Sequence, residues 1–297
     1  MSDSVADPAA APSWHARLLR FPLTRIAIAL LCIGVPFALA GLLVKSALPG
    51  EAWRGLRGVF GTVVLVASYW VYVRKLEQRA LSELSWPGAW KELLAGLLVG
   101  SLLFTAVMGL LYAFGALRIT GQQPWAAAGA LVPTLVLAAI AEEIVFRGVI
   151  FRILEQWLGS WMALALSALL FGFAHAGNPG ASLLTSSAIA IEAGFLLGGA
   201  YMLTRRLWFV TALHFAWNFM QGGVFSIAVS GQATKGRYET RLTGPDWLTG
   251  GAFGAEASVL AIGCCLLLSA ALLLAVARRG GFVAAFWRRR AGTAAAA

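Results

Sequence analysis

Charged side chains are scarce in this sequence, and their scarcity excludes an ordinary soluble domain. Of the 297 residues, 12% are charged and 60% are hydrophobic, whereas soluble domains carry about 25% charged residues. A membrane-spanning helix needs about 20 apolar residues, and several apolar runs have nearly this length or more. They cover residues 26–44, 58–73, 93–117, 125–141, 157–174, 180–204 (interrupted by Glu192), 207–230 and 257–277. The sequence therefore predicts an all-α fold, a polytopic integral membrane helical bundle with about eight transmembrane helices.

Cysteine is rarer still, with three residues in the chain. Cys32, Cys264 and Cys265 all lie in apolar runs and form no C-x-x-C pair. The sequence therefore predicts neither a disulfide framework nor a zinc ribbon. No internal repeat is visible, which favours one integral membrane domain.

The few charges are mostly basic and give a formal net charge of +10. They are scattered over the ends of the apolar runs, so we expect no nucleic-acid partner. With the N-terminus inside and eight spans, fifteen lysines and arginines fall on the cytoplasmic side and seven outside. Because positive charge is in excess on cytoplasmic loops, we predict a multi-pass protein of the plasma (inner) membrane with both termini in the cytoplasm.

Three regions follow from these runs. Residues 1–25 are predicted to be an N-terminal cytoplasmic segment, because the first apolar run is too long for a signal-peptide core. Residues 26–277 form the polytopic membrane domain, and residues 278–297 form a basic C-terminal tail that contacts the lipid surface. Residues 74–92 have helical charge spacing and predict an amphipathic cytoplasmic connection, broken at Trp86-Pro87-Gly88.

Three charges interrupt the apolar segment 136–151, namely Glu142, Glu143 and Arg147. Each costs at least about 2.5 to 3.5 kcal/mol in a bilayer unless it finds a partner or water. Successive helical residues point about 100° apart, so Glu143 and Arg147 share a face and Glu142 points elsewhere. We therefore predict an ion pair between Glu143 and Arg147, with Glu142 turned toward another helix.

Two of the three histidines also lie in, or directly after, an apolar run. His175 follows Phe171 by four residues and His214 precedes Asn218 by four, so each pair shares a helix face. A polar turn near 158–159 lies about 16 residues from both Glu142 and His175, and an antiparallel hairpin would place them at one height. His214 lies about nine residues, or about 13 Å, from the Arg205-Arg206 turn, which favours a shallow site facing the cytoplasm.

These residues resemble the motifs of the CPBP family of intramembrane proteases (CAAX protease and bacteriocin-processing, or Abi), which includes type II CAAX prenyl proteases. The motifs E-E-x-x-x-R, F-x-x-x-H and H-x-x-x-N stand here at 142–147, 171–175 and 214–218. The similarity covers residues 126–220. It implies a protease core with a membrane-associated protein or peptide substrate in the lipid bilayer.

The resemblance also implies roles for six residues. Glu142 is expected to be the general base and His175 its partner in holding water, with His214 and Asn218 as an oxyanion site. Glu143 and Arg147 would hold the helix and tune Glu142. The additional carboxylate Glu192 has no place in the motifs.

Alternatives remain open at this stage. Glu142, His175 and His214 supply a ligand set suited to zinc, although H-E-x-x-H is absent. A covalent mechanism is disfavoured because Ser167 and Ser182 have no neighbouring base in sequence. Intramembrane charges also occur in transporters, and a non-catalytic membrane scaffold is the third possibility.

Overall fold

The computed structural model describes residues 21–47 and 52–289, with side chains from residue 55 in the second range. Most of the predicted N-terminal segment 1–25, and residues 290–297 of the predicted tail, lie outside the described residues. The described chain is a helical bundle with one small sheet. Its α-helices are α1 (Pro22–Ala47), α2 (Ala52–Val71), α3 (Ala89–Ala113), α4 (Trp125–Glu143), α5 (Arg152–Ala174), α6 (Leu183–Ile189), α7 (Phe195–Thr204), α8 (Leu207–Asn218), α9 (Asp246–Thr249) and α10 (Val259–Arg278).

Wider π-helical turns extend or join several of these helices. Ile144–Phe151 joins α4 to α5, Ala190–Gly194 joins α6 to α7, and Phe219–Val224 continues α8. The first turn contains Arg147, the second contains Glu192, and the third begins directly after Asn218. Such turns often occur at functional sites because they re-aim side chains within a helix.

Six helices in the described ranges are long and apolar enough to cross a membrane. One of them, Trp125–Ala174, has 50 residues and covers two predicted runs. It bends at Gly159, whose φ of 78° is left-handed, and a Cβ there would lie 2.8 Å from the backbone oxygen of Val283. The predicted run 207–230 is helical to Val224 but is not among the six. The all-α polytopic class is confirmed, while the count of eight stays a prediction.

Two features of the connections differ from the sequence prediction. Strand β1 (Leu117–Gln122) pairs antiparallel with β2 (Tyr238–Leu242), with Leu117 opposite Leu242, although the sequence analysis predicted no strands. The strands are short and polar, so they lack an alternating apolar pattern. Between α2 and α3 the connection has single turns at Tyr72–Leu76 and Ser82–Leu84 instead of the continuous helix that the charge spacing before Trp86 indicated, and residues 89–92 belong to α3.

Charges in that connection bind both each other and neighbouring elements. Glu77 accepts hydrogen bonds from Arg25 of α1, from Arg79 and from Arg152 of α5. Burial raises the pKa of Glu77, but the Arg152 charge and the three arginine hydrogen bonds outweigh it and lower this pKa to about 2. This network joins the start of α1, the end of α2 and the start of α5 at one end of the bundle, here called the basic end.

The opposite end, here called the sheet end, carries β1, β2 and the long connection between α8 and α10. Asn178, after α5, donates a hydrogen bond to the backbone of Ser230 at 2.8 Å. The backbone N–H of Gly231 donates to Phe253 at 2.7 Å. The loops after α5 and α8 and before α10 therefore form one connected layer over this end.

Helix α8 is held against α3 by two glycines. A Cβ on Gly96 or Gly100 would lie 2.4 Å from the backbone oxygens of Phe209 or Leu213 respectively. Small residues permit this close approach of helix backbones in lipid. The contact fixes the position of α8, which carries His214.

Candidate active site

The predicted pair of Glu143 and Arg147 is present and fully buried. Arg147 Nη1 lies 3.0 Å from Glu143 Oε1, with side chains 1% and 0% exposed. The same carboxylate oxygen lies 2.8 Å from His214 Nδ1. Glu143 therefore links α4, the following π turn and α8, which is a larger role than the two-residue pair expected from sequence.

Glu142 points away from this pair, as the helical geometry predicted. Its side chain is 28% exposed, and its Oε2 lies 3.8 Å from Nε2 of both His175 and His214. These distances are too long for direct hydrogen bonds, and Oε2 has no hydrogen-bond partner in the described chain. The gap suits one small polar group placed between the carboxylate and the two imidazoles.

The two imidazoles are oriented by their other ring nitrogens. His175 Nδ1 lies 2.8 Å from the backbone oxygen of Phe171, which can only accept, so this nitrogen carries the proton. In the neutral ring, Nε2 of His175 then presents a lone pair to Glu142. His214 Nδ1 similarly donates to Glu143, so protonation of His214 places a second N–H at Nε2, toward Glu142.

Phe171 forms the wall behind these polar groups. Its ring centroid lies 4.6 Å from the Arg147 guanidinium carbon and 5.1 Å and 6.1 Å from the rings of His175 and His214. The sequence motif included Phe171 without giving it a role. The ring lies near both imidazoles and offers the guanidinium its π face.

Asn218 lies one helical turn after His214 and is 8% exposed. Its amide makes no hydrogen bond to the described residues, and it faces the same cavity as His214. A buried amide without a partner carries a desolvation cost. The side chain is thus available to donate to a ligand in the cavity.

A cavity of about 1320 Å³ collects the predicted site residues. Glu142, His175, His214 and Asn218 all line it, as expected for one shared site. Glu143 and Arg147 lie behind the lining. The structure thus brings the six residues together, while their chemical roles stay predictions.

The cavity lies toward the sheet end. Its lining includes Arg57 at the start of α2, Asn178, and residues 230 and 232–234. No described residue of the network around Glu77 lines it. The predicted cytoplasm-facing opening therefore conflicts with the predicted cytoplasmic termini, since α1 begins at the basic end. His214 lies in the half of α8 nearer the sheet end, so only one of these two predictions can hold.

Two further carboxylates line the cavity, Glu192 and Glu256, and each is 2% exposed. Glu256 accepts a hydrogen bond from the backbone N–H of Ser230. Burial raises the pKa of Glu256 to about 7 despite that hydrogen bond. The sequence motifs give Glu192 no role, and the only sequence signal for Glu256 is its position directly before the last apolar run.

The site does not fit a zinc ion as it stands. Among residues 21–47 and 52–289, no three His, Cys, Asp or Glu side chains are grouped to hold a metal. Two ligands of a tetrahedral zinc are about 3.4 Å apart, given bonds of about 2.0 to 2.1 Å. The 3.8 Å separations from Glu142 to both histidines exceed this.

Comparison with known families supports the motif interpretation. Residues 123–220 match the family described as type II CAAX prenyl endopeptidase Rce1-like. The match covers about a third of the chain and includes all six site residues. No curated protein and no solved structure matches the chain. The resemblance to the CAAX protease family is confirmed, and at family level it indicates an integral membrane protease.

Proposed function

We propose that the protein is an intramembrane endopeptidase that hydrolyses a peptide bond of a membrane-proximal protein or peptide. One observation carries the proposal: Glu142 Oε2 lies 3.8 Å from the Nε2 atoms of both His175 and His214 inside the cavity. A water between these groups would sit within hydrogen-bond distance of a base and an orienting acceptor. Hydrolysis by a base-activated water needs such a water next to a place for the substrate carbonyl.

In the proposed reaction, Glu142 removes a proton from water as the water oxygen attacks the peptide carbonyl carbon. The lone pair on His175 Nε2 accepts the second water hydrogen and so fixes the direction of attack. The new C–O bond gives a tetrahedral intermediate with a negative oxygen. When the C–N bond breaks, the proton on Glu142 passes to the departing amine.

The oxyanion is stabilised by Asn218 and His214. The Asn218 amide has no hydrogen-bond partner among the described residues and so can donate one hydrogen bond to the oxyanion, while protonated His214 donates another from Nε2. Donors of this kind typically lower a barrier by about 2.7 to 4 kcal/mol each. Glu143 accepts a hydrogen bond from Nδ1 of His214 and so stabilises the protonated ring, while the buried positive charge of Arg147 neutralises the negative charge of Glu143.

Arg147 also positions the two π turns. Its Nη2 lies 3.4 Å from the backbone oxygens of Ala193 and Gly194 in the turn between α6 and α7. The guanidinium thus ties the turn after α4 to the turn that carries Glu192. This contact keeps α4 and its base in place beside the cavity.

The test is cleavage of a synthetic peptide library by the purified full-length protein in detergent, followed by mass spectrometry. The library includes farnesylated C-terminal peptides and unmodified peptides. Glu142→Gln should abolish every cleavage that the parent protein performs. Glu239→Gln is the matched control, because Glu239 is exposed on β2, and it should cleave normally. Equal rates for the parent protein and Glu142→Gln would refute the proposed mechanism.

A further inference from the structure

We propose that the active site is entered from the non-cytoplasmic face of the membrane, so that its substrate is a peptide or membrane-proximal segment on that face. That this polypeptide is cleaved rests on the protease function proposed above. The direction of entry rests on three separate observations: where the cavity opens, what blocks the other end, and where the basic residues lie.

The cavity opens at the sheet end. Gln232 and Ala233 line it and are exposed, and Asn178 beside them is partly exposed. On the opposite wall, Arg57 and Gly55 at the start of α2 are also exposed. A polypeptide would therefore enter between the start of α2 and the connection after α8.

The basic end is closed. Tyr69 and Phe151 lie between the site and that end, and both are 0% exposed. The hydroxyl of Tyr69 donates to Glu83 at 2.5 Å and lies 3.2 Å from the backbone oxygen of Gly148, directly after Arg147. Phe151 contacts the ring of Tyr201 with centroids 5.6 Å apart. Beyond this packed layer lies the Glu77 network, so a substrate has no path from the basic end.

The basic residues indicate which end is cytoplasmic. The basic end carries Arg25, Arg79, Arg152, Arg205 and Arg206, linked by ion pairs to the four carboxylates Glu77, Glu83, Glu92 and Glu155. Exposed Arg74 and Lys75 add further positive charge there. By the positive-inside rule this end faces the cytoplasm, which leaves the cavity mouth on the other face.

This direction of entry determines which polypeptides can reach the site. The C-terminal peptide of a lipid-modified cytoplasmic protein would approach the basic end, where the chain is closed. A secreted peptide, or a membrane protein with a cleavable bond just outside the bilayer, approaches the open end. The site therefore fits an extracytoplasmic polypeptide and does not fit a cytoplasmic one.

Cysteine accessibility in intact cells tests the proposal. Cys32 and Cys264 are replaced by alanine, while Cys265 is fully buried and stays. Ala233→Cys then marks the cavity mouth, and Ala80→Cys is the matched control because Ala80 is an exposed alanine in the basic-end connection. A charged, membrane-impermeant maleimide is applied before and after permeabilisation, and the labelled fractions are compared. Gln232→Cys repeats the measurement at a neighbouring exposed position.

We expect equal labelling of Ala233→Cys before and after permeabilisation, and labelling of Ala80→Cys only after it. The reverse pattern, or labelling of both positions in intact cells, would overturn the proposed direction of entry. Peptide cleavage in detergent does not depend on sidedness. A reversed labelling pattern with intact cleavage would therefore refute the direction alone, whereas lost cleavage in the parent protein would refute the protease function.

Discussion

At the scale of single residues, two adjacent glutamates occupy very different surroundings. Glu143 is fully buried between Arg147 and His214, whereas Glu142 reaches the cavity and is 28% exposed. The difference comes from the rotation of about 100° between successive helical residues. One carboxylate is therefore part of the packed interior, and its neighbour is free to react.

Substitution with glutamine should distinguish the roles of Glu142 and Glu143. We expect Glu142→Gln to lose cleavage while keeping its purified yield and thermal midpoint, because it removes the base and keeps the shape. Glu143→Gln should lower both yield and midpoint, since breaking a buried pair costs about 3 to 5 kcal/mol. Yield, circular-dichroism melting in detergent and peptide cleavage are measured on each variant.

The double variant Glu143→Gln with Arg147→Gln provides the control for this interpretation. It removes the cation that Glu143→Gln leaves unpaired, so part of the lost yield should return. Activity should stay low, because His214 has still lost its carboxylate partner. Full activity in Glu142→Gln, together with a stable but inactive Glu143→Gln, would mean that the two roles are reversed.

Removal of metal addresses the zinc alternative. The spacing around Glu142 does not suit a tetrahedral zinc ion, so cleavage should survive thorough chelation, with no stoichiometric metal by elemental analysis. Loss of cleavage on chelation, followed by recovery on adding zinc, would instead make Glu142, His175 and His214 ligands. A parallel sample treated with the calcium-loaded chelator controls for effects of the reagent.

At the scale of elements, close contacts between helices set the position of the side chains that we propose are catalytic. Helix α8 carries both His214 and Asn218, and it is held against α3 through Gly96 and Gly100. A displacement of α8 by even a fraction of an ångström would change the distances to Glu142. Helix packing and activity should therefore be coupled at these glycines.

Gly100→Ala tests this coupling. Its Cβ would lie 2.4 Å from the backbone oxygen of Leu213, next to His214, and overpacking typically costs about 1 to 3 kcal/mol. We expect a lower thermal midpoint and reduced cleavage. Gly109→Ala on the same helix meets nothing within 4 Å and should be neutral or slightly stabilising. Equal thermal midpoints and equal cleavage in the two variants would show that the contact between Gly100 and Leu213 does not set the position of His214.

At the scale of the whole molecule, the two ends respond to pH in opposite directions. The arginine network holds the pKa of Glu77 at about 2, so its stabilisation is complete above the unfolded pKa of about 4.3 and disappears as pH falls toward 2. Burial raises the pKa of Glu256 to about 7. Its folded form therefore holds a proton that the unfolded chain has released, and stability falls as pH rises from about 4.3 to 7.

Glu256→Gln should remove the loss of stability between about pH 4.3 and 7. Because glutamine stays neutral, the variant should match the parent protein near pH 4.5 and have a higher thermal midpoint at pH 8. The expected difference is about 3 to 4 kcal/mol, from a shift of about 2.7 pKa units at 1.36 kcal/mol per unit. Melting curves at both pH values measure it, with exposed Glu239→Gln as the control. An unchanged pH dependence in Glu256→Gln would contradict the burial effect.

The sequence by itself determined the membrane class, the helical bundle and the Glu143–Arg147 contact. These depend on composition and on helical periodicity, which are local properties of the chain. It also indicated that Glu142, His175 and His214 share a site, because three motifs stood in order on apolar runs.

Only the tertiary structure decided which groups contact across the bundle and which end of the cavity is open. His214 bonds Glu143 from another helix, and Glu256 reaches Ser230 across a loop layer. The β1–β2 pairing likewise joins segments more than a hundred residues apart. Such contacts depend on how helices rotate and pack against one another, and no periodicity within a single segment encodes that rotation.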